Sequence, residues 1–183
     1  TVNSNAKNVA LVATALLDNA TLDNIQTQNC EVYGSSNTDN IAVVVATNNG
    51  VVSGAKVNVD AGNVNTLKTE STTATMGIIS AINNKTISNA VVDSYEIIAT
   101  SQSIDATAQI GGIRGVNNGA ITDAHNLGAT LDIDFRGTIY AGGVTSKLSD
   151  GAKVESSYAI STLKVPYTNK NSHMGGVVAY SNN

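Results

Sequence analysis

Small and aliphatic residues recur along this chain about every 33 positions, set in a background of Asn, Thr, Ser and Gly. The segments Val9-Ala-Leu-Val, Ile41-Ala-Val-Val, Met76-Gly-Ile-Ile, Ile110-Gly-Gly-Ile, Ala141-Gly-Gly-Val and Met174-Gly-Gly-Val begin 32, 35, 34, 31 and 33 residues apart. A fixed period of this size marks a solenoid, in which each unit buries its apolar face on its neighbours. Aligned, the segments share one register. A first column holds Ala10, Ala42, Gly77, Gly111, Gly142 and Gly175. Two residues on come Val12, Val44, Ile79, Ile113, Val144 and Val177, and two further on a column of small residues. Spacing by two is one face of a strand. This uniform face is expected to point inward, and the mixed alternate column (Val45, Ser80, Arg114, Thr145, Val178) outward.

The rest of each unit reads as two more strands joined by polar turns. A second strand carries the aliphatic column Leu22, Val52, Ile87, Ile121 and Val154, each followed by a polar residue. A third alternates similarly at Ala129–Ile133 and Leu163–Val165. Between the first two strands lies a turn in a short form (Asn48-Asn49-Gly50, Asn83-Asn84-Lys85, Asn117-Asn118-Gly119) or a longer one (Leu16–Ala20, Leu148–Ala152). Asn and Gly tolerate the positive φ that such turns are expected to need, and stacked Asn side chains can hydrogen-bond along the axis. Connections Gly62–Thr73, Thr100–Ala108 and Pro166–Ser172 lead into the next unit. No helical period is present. The pattern predicts an all-β, right-handed parallel β-helix of about five and a half coils with three short strands per coil, rising on the order of 26 Å.

Composition adds bounds. The 183 residues form one repeat domain, with units starting near 9, 41, 76, 110, 141 and 174. Aromatic residues are 4%, with no Trp and one Phe, so the interior must be filled by Val, Ile, Leu and Ala, which suits a narrow core. Charged residues are 13%, about half the usual share. The net charge of −4 and pI near 4.9 argue against nucleic acid, because no basic stripe exists to displace counterions. No apolar run is long enough for membrane insertion, and no signal peptide is visible. Cys30, being single, forms no internal disulfide and is expected to be a buried, inert thiol.

The strings Ile110-Gly-Gly-Ile-Arg-Gly-Val-Asn-Asn-Gly-Ala-Ile-Thr-Asp-Ala124 and Met174-Gly-Gly-Val-Val-Ala-Tyr-Ser-Asn182 resemble the GLUG repeat, a short glycine-rich motif of bacterial secreted and surface proteins. Only the last three units carry the Gly-Gly pair; the first three hold Ala-Leu, Ala-Val and Gly-Ile. The resemblance implies a non-catalytic, extracellular module of a bacterial surface or secreted protein, a stalk or adhesive scaffold. Its partner would be a host or neighbouring surface protein, or flanking domains of the same parent. An alternative is the substrate-positioning N-terminal region of an immunoglobulin-A-cleaving zinc metallopeptidase. The resemblance brings no catalytic residue, metal ligand or cofactor.

The residues themselves add little chemistry. Zinc peptidases need two His one helical turn apart with a Glu base, whereas His125 and His173 lie 48 positions apart with no adjacent Glu. A β-helix polysaccharide lyase or hydrolase would gather carboxylates on one outer face. Asp132 and Asp134 with Arg136 are the nearest such group, and read better as solvated charges. Asn37-Thr38-Asp39 matches one short hydrolase motif without its partners. An ice-binding face would need a flat Thr ladder, and the outward columns are mixed.

One asymmetry remains. The column Leu11, Val43, Ile78, Gly112, Gly143, Gly176 runs from large apolar residues to glycine. With Ala13 and Val45 beside Leu11 and Val43, it makes a candidate interaction strip on the first two coils. It is expected to be covered by the N-terminal residues 1–6 or the loop Gly62–Thr73, or else to dock a partner. The last unit stops at Asn182-Asn183, where a turn should begin, which suggests a fragment of a longer protein.

Overall fold

The computed structural model describes residues 1–61, 63–166 and 171–182. Gly62, most of the connection from Pro166 to Ser172, and Asn183 lie outside them. The described residues form a parallel β-solenoid of three sheets with no helix. Each full coil passes once through each sheet, and every pairing between strands is parallel. Sheet 1 has twelve strands and sheets 2 and 3 have six each. Sheet 2 stacks Asn8–Ala10, Asn40–Ala42, Thr73–Gly77, Thr107–Gly111, Thr138–Gly142 and Ser172–Gly175. Sheet 3 stacks Ala13–Leu16, Val45–Asn48, Ser80–Asn83, Arg114–Asn117, Thr145–Leu148 and Val178–Ser181. The second and third strands of each unit run in sheet 1, fused in one coil into Ala120–Phe135.

The columns expected at the core are there. Val44, Ile79, Ile113 and Val144 are fully buried, as are Val52, Ile87 and Ile121, whereas Val12 and Val177 of the same column as Val44, in the first and last coils, are exposed at 40% and 39%. Cys30 is buried at the corner between Gln26–Gln28 and Glu31–Gly34, its amide donating to Asn65 Oδ1 at 2.6 Å. Two expectations are corrected. The segment read as one strand is two strands, with a bend at Val43-Val44, Ile78-Ile79 and Gly112-Ile113 that carries the chain from sheet 2 to sheet 3. The bends stack by their own axial bonds, such as Val45 N–H to Ile79 O at 2.9 Å and Ile113 N–H to Val144 O at 3.0 Å. Because the chain direction changes there, alternation does not carry through. The mixed column Val45, Ser80, Arg114 and Thr145, expected outside, is wholly buried.

Part of the connection Gly62–Thr73 is likewise a strand, Asn65–Thr69, paired on both sides in sheet 1. Thr100, Ser101, Thr107 and Ala108 also belong to strands, which shortens the second connection.

The turns use asparagine differently from the expectation. No residue of the three short turns has positive φ. Instead the first Asn accepts from the amide two residues on: Gly50 N–H to Asn48 Oδ1 at 3.0 Å, Lys85 to Asn83 at 3.3 Å, Gly119 to Asn117 at 2.9 Å. This Asx geometry mimics a backbone turn. The predicted axial ladders are present twice. A buried one runs Asn48 Nδ2 to Asn83 Oδ1 (2.6 Å) and Asn83 Nδ2 to Asn117 Oδ1 (3.4 Å). An exposed one runs Asn84 to Asn49 and Asn118 to Asn84, both 2.7 Å. The buried ladder ends where Leu16 and Leu148 take its column, and those two coils carry the longer turns.

The two longer turns do have the expected positive φ, at Asn19 (64°) and Gly151 (73°), and a further corner has it that the sequence reading missed. Asn24, Gly54, Asn89, Asp123 and Ser156 follow the polar neighbour of the second-strand column in successive coils, with φ of 52°, 64°, 50°, 51° and 48°. At this corner one left-handed residue per coil kinks sheet 1 and starts a further short strand, such as Gln26–Gln28 and Lys56–Asn58, ahead of the third strand. Asn, Gly and Asp suit this conformation and Ser does not. Ser156→Asn should therefore raise stability by about 0.5–1 kcal/mol in urea unfolding; an unchanged or lowered midpoint would contradict the strain at this corner.

Arg114 is the other local conflict. Its side chain is fully buried; Nη1 donates to Asn117 Oδ1 at 2.5 Å, while Nε and Nη2 have no partner among the described residues. Burial holds the guanidinium well below its ordinary pKa. A buried charge without a counter-charge is destabilising relative to an apolar side chain of similar volume. Arg114→Met is expected to stabilise the fold by about 1–4 kcal/mol, measured as a shift of the urea midpoint; destabilisation would show that the cation has a favourable role in the core.

Candidate functional site

The candidate strip does not form an exposed face. Val43 and Val45 are fully buried, and Leu11 and Ala13 are half-buried against the same core. The two segments expected to cover the strip lie in the plane of sheet 1 instead. Val2–Ser4 pairs with Glu31–Gly34, and Asn65–Thr69 pairs beside it. The reason is the bend. The column Leu11, Val43, Ile78, Gly112, Gly143 follows the sheet 2 strands directly, and the bend turns it toward sheet 1. A Cβ on Gly112 would overlap the Tyr95 hydroxyl and Asn126 Nδ2. The Tyr95 hydroxyl donates to Gly112 O, and Asn126 Nδ2 donates to Gly143 O and to Ser161 Oγ, both at 2.9 Å. Valine and isoleucine fill this part of the core in coils two and three. Glycine plus a long polar side chain from the opposite wall fills it in coils four and five.

Burial pushes the Tyr95 phenol well above its ordinary pKa near 10. The neutral phenol therefore contributes stability that is fully present below about pH 10 and is lost as pH rises from there toward the folded-state value. Tyr95→Phe should cost about 1–3 kcal/mol at neutral pH by leaving Gly112 O unpaired. Urea unfolding at about pH 8 and about pH 11 should show that deficit shrink; a constant deficit would overturn the assignment.

The sequence-derived charges stay dispersed. Asp132 and Asp134 are half-buried on the outer face of sheet 1, beside Ile98, Thr100 and, for Asp132, Lys164. Asp39 ties its coil to the next by accepting from Thr73 Oγ1 at 2.6 Å and Ser71 Oγ at 3.4 Å. Among the described residues no three His, Cys, Asp or Glu converge as metal ligands. His125 stacks on Tyr158 of the next coil, ring centroids 4.4 Å apart.

What the structure brings together is a second aromatic group, at the crease between the outer faces of sheets 2 and 3. The faces meet through side chains: Lys147 and Tyr180 of sheet 3 both reach Tyr140 of sheet 2. Along the sheet 2 wall run Asn40, Thr75, Gln109, Tyr140 and His173; along the sheet 3 wall run Thr47, Ile82, Val116, Lys147 and Tyr180. In the last two coils the crease is lined by rings. Tyr140 and His173 stack at 4.9 Å with planes 3° apart. Tyr180 stands at 67° to both, at 5.6 and 5.1 Å. Lys147 Nζ lies 5.9 Å from the Tyr140 centroid and 5.7 Å from that of Tyr180. Among the described residues Lys147 has no carboxylate within 4.0 Å, so its ammonium faces the rings. Sequence reasoning missed this group because its members sit 7 and 33 positions apart, in two columns that hold other residue types in earlier coils. The signal available was that the scarce aromatics gather in the last units.

Among the described residues no helix is long and apolar enough to cross a membrane. Compared with protein-family models, curated proteins and solved structures, the chain shows no match to any.

Proposed function

We propose that this chain is a non-catalytic, extracellular β-helix module of a bacterial surface or secreted protein, of the kind its GLUG-like strings resemble, and that it serves as an adhesive scaffold. The observation that carries the reading is the Tyr140–Lys147–His173–Tyr180 group in the outer crease. The inward columns are absorbed by packing, and the turn columns by hydrogen bonds within the coil or to the next one. In the ring-and-amine group the Tyr140–His173 stack joins two coils, while Tyr180 and Lys147 reach across from the other sheet. The group is partly exposed, rigidly stacked and rich in donors, as recognition surfaces built from Tyr are. A rigid rod bearing such a group on its side presents it to a partner without ordering a loop on binding.

Beads coated with the protein should be retained on mucin-coated or epithelial surfaces under flow. Tyr140→Ala/Tyr180→Ala should reduce retention by at least about tenfold while leaving the melting temperature within a few degrees. Retention by the variant equal to that of the parent would overturn the crease as the adhesive surface.

A further inference from the structure

We propose that the crease over the last two coils binds a carboxylated glycan, with a sugar ring against Tyr180 and its carboxylate on Lys147; this rests on the reading of the crease as the adhesive surface. Three observations point to that chemistry. First, Tyr180 is the most exposed ring of the group, at 36%, and is held crosswise to a Tyr140–His173 pair that supports it from two coils. A held ring offers its face to the C–H groups of a sugar with little loss of side-chain freedom. Second, the Lys147 ammonium lies above the same rings with no carboxylate partner among the described residues, in a chain whose net charge is −4. The charge missing from the site is an anion. Third, the neighbouring polar groups are suited to hydroxyl groups: the His173 imidazole, the tyrosine hydroxyls, and Gln109, whose Oε1 accepts from Thr75 Oγ1 at 3.4 Å.

An acidic peptide would satisfy Lys147 but offers no flat C–H face to lie against Tyr180. A single-stranded nucleic acid could stack on the rings, but its phosphates would meet one lysine on an acidic protein, too little to offset repulsion. A sugar acid matches ring, charge and donors together. It also matches the geometry of the crease, which runs along the solenoid axis and repeats its wall positions at about 4.8 Å per coil.

The test uses the whole chain, with calorimetry and tyrosine fluorescence (no Trp interferes). The probes are a short oligogalacturonate, its methyl ester, sialyllactose, polyglutamate and oligothymidylate. Saturable binding of the oligogalacturonate or of sialyllactose is expected; which of them binds tells a uronate chain from a terminal sialic acid. The methyl ester should bind at least about tenfold more weakly than the oligogalacturonate if the latter is the ligand. Lys147→Gln should cause a loss of similar size against the acidic sugar and erase any preference over the ester, and Tyr180→Ala should weaken binding of both.

Absence of saturable binding by either acidic sugar, or indifference to both substitutions, would overturn the proposal. So would polyglutamate or oligothymidylate binding as tightly as the sugar. The two readings separate in the bead assay. Retention that depends on Tyr140 and Tyr180 but is not competed by acidic sugar keeps the adhesive crease and overturns the glycan. Sugar binding with the expected substitution pattern, in a protein whose beads are not retained, keeps the site and overturns the adhesive role.

Discussion

The structure depends on one constraint: backbone amides in the strands and bends of a coil bond to the coil above or below, so residues about 33 apart must share a register. The structural unit is therefore the column, and each column has to solve one packing or hydrogen-bonding problem several times over. Aliphatic columns fill a narrow interior. Asn columns answer the turn amides and then bond to each other along the axis, so a single side chain serves the turn and the stacking together. Where Leu16 and Leu148 replace Asn in the buried ladder, the turn lengthens and finds its own closure, Ala20 N–H to Leu17 O and Ala152 N–H to Ser149 O.

The bend between sheets 2 and 3 gives the molecule its shape. It pushes the chain toward sheet 1 and brings the two outer faces together, so the cross-section has a re-entrant crease. Inside, the distance to the opposite wall limits volume. Coils two and three meet that limit with Val43 and Ile78, and coils four and five with glycine opposite Tyr95 and Asn126. The substitution exchanges apolar contact for buried hydrogen bonds, and it accounts for the second glycine of the pair in coils four and five. Outside, the same bend lets residues from two columns touch, which places Lys147 over Tyr140 and Tyr180. Core packing and the candidate recognition surface thus share one cause.

Much of the fold was legible in the chain. The period, the core columns Val44–Val144 and Val52–Ile121, the turn positions and the Asn ladders follow from alternation and from what Asn and Gly can do locally. The left-handed corner at Asn24, Gly54, Asn89 and Asp123 was legible in principle, since three residue types that tolerate positive φ share a column. It was obscured by lying inside what read as continuous strand. The strip Leu11, Ala13, Val43, Val45 was misassigned because period two was carried across a bend. Alternation identifies a face only while the strand stays straight.

The chain by itself determined the register and the list of columns, because both arise from neighbours a fixed distance apart in sequence. The tertiary structure alone decided which way the bend turns. In coils four and five that direction is held by contacts at other separations, Tyr95 with Gly112 and Asn126 with Gly143, each 17 residues apart and outside the repeat. The direction of the bend then determined that Val43 faces the core and that Tyr140, Lys147, His173 and Tyr180 meet at the surface. No periodicity encodes such a meeting, because the two walls of the crease belong to different sheets and come together only when the chain folds back between them.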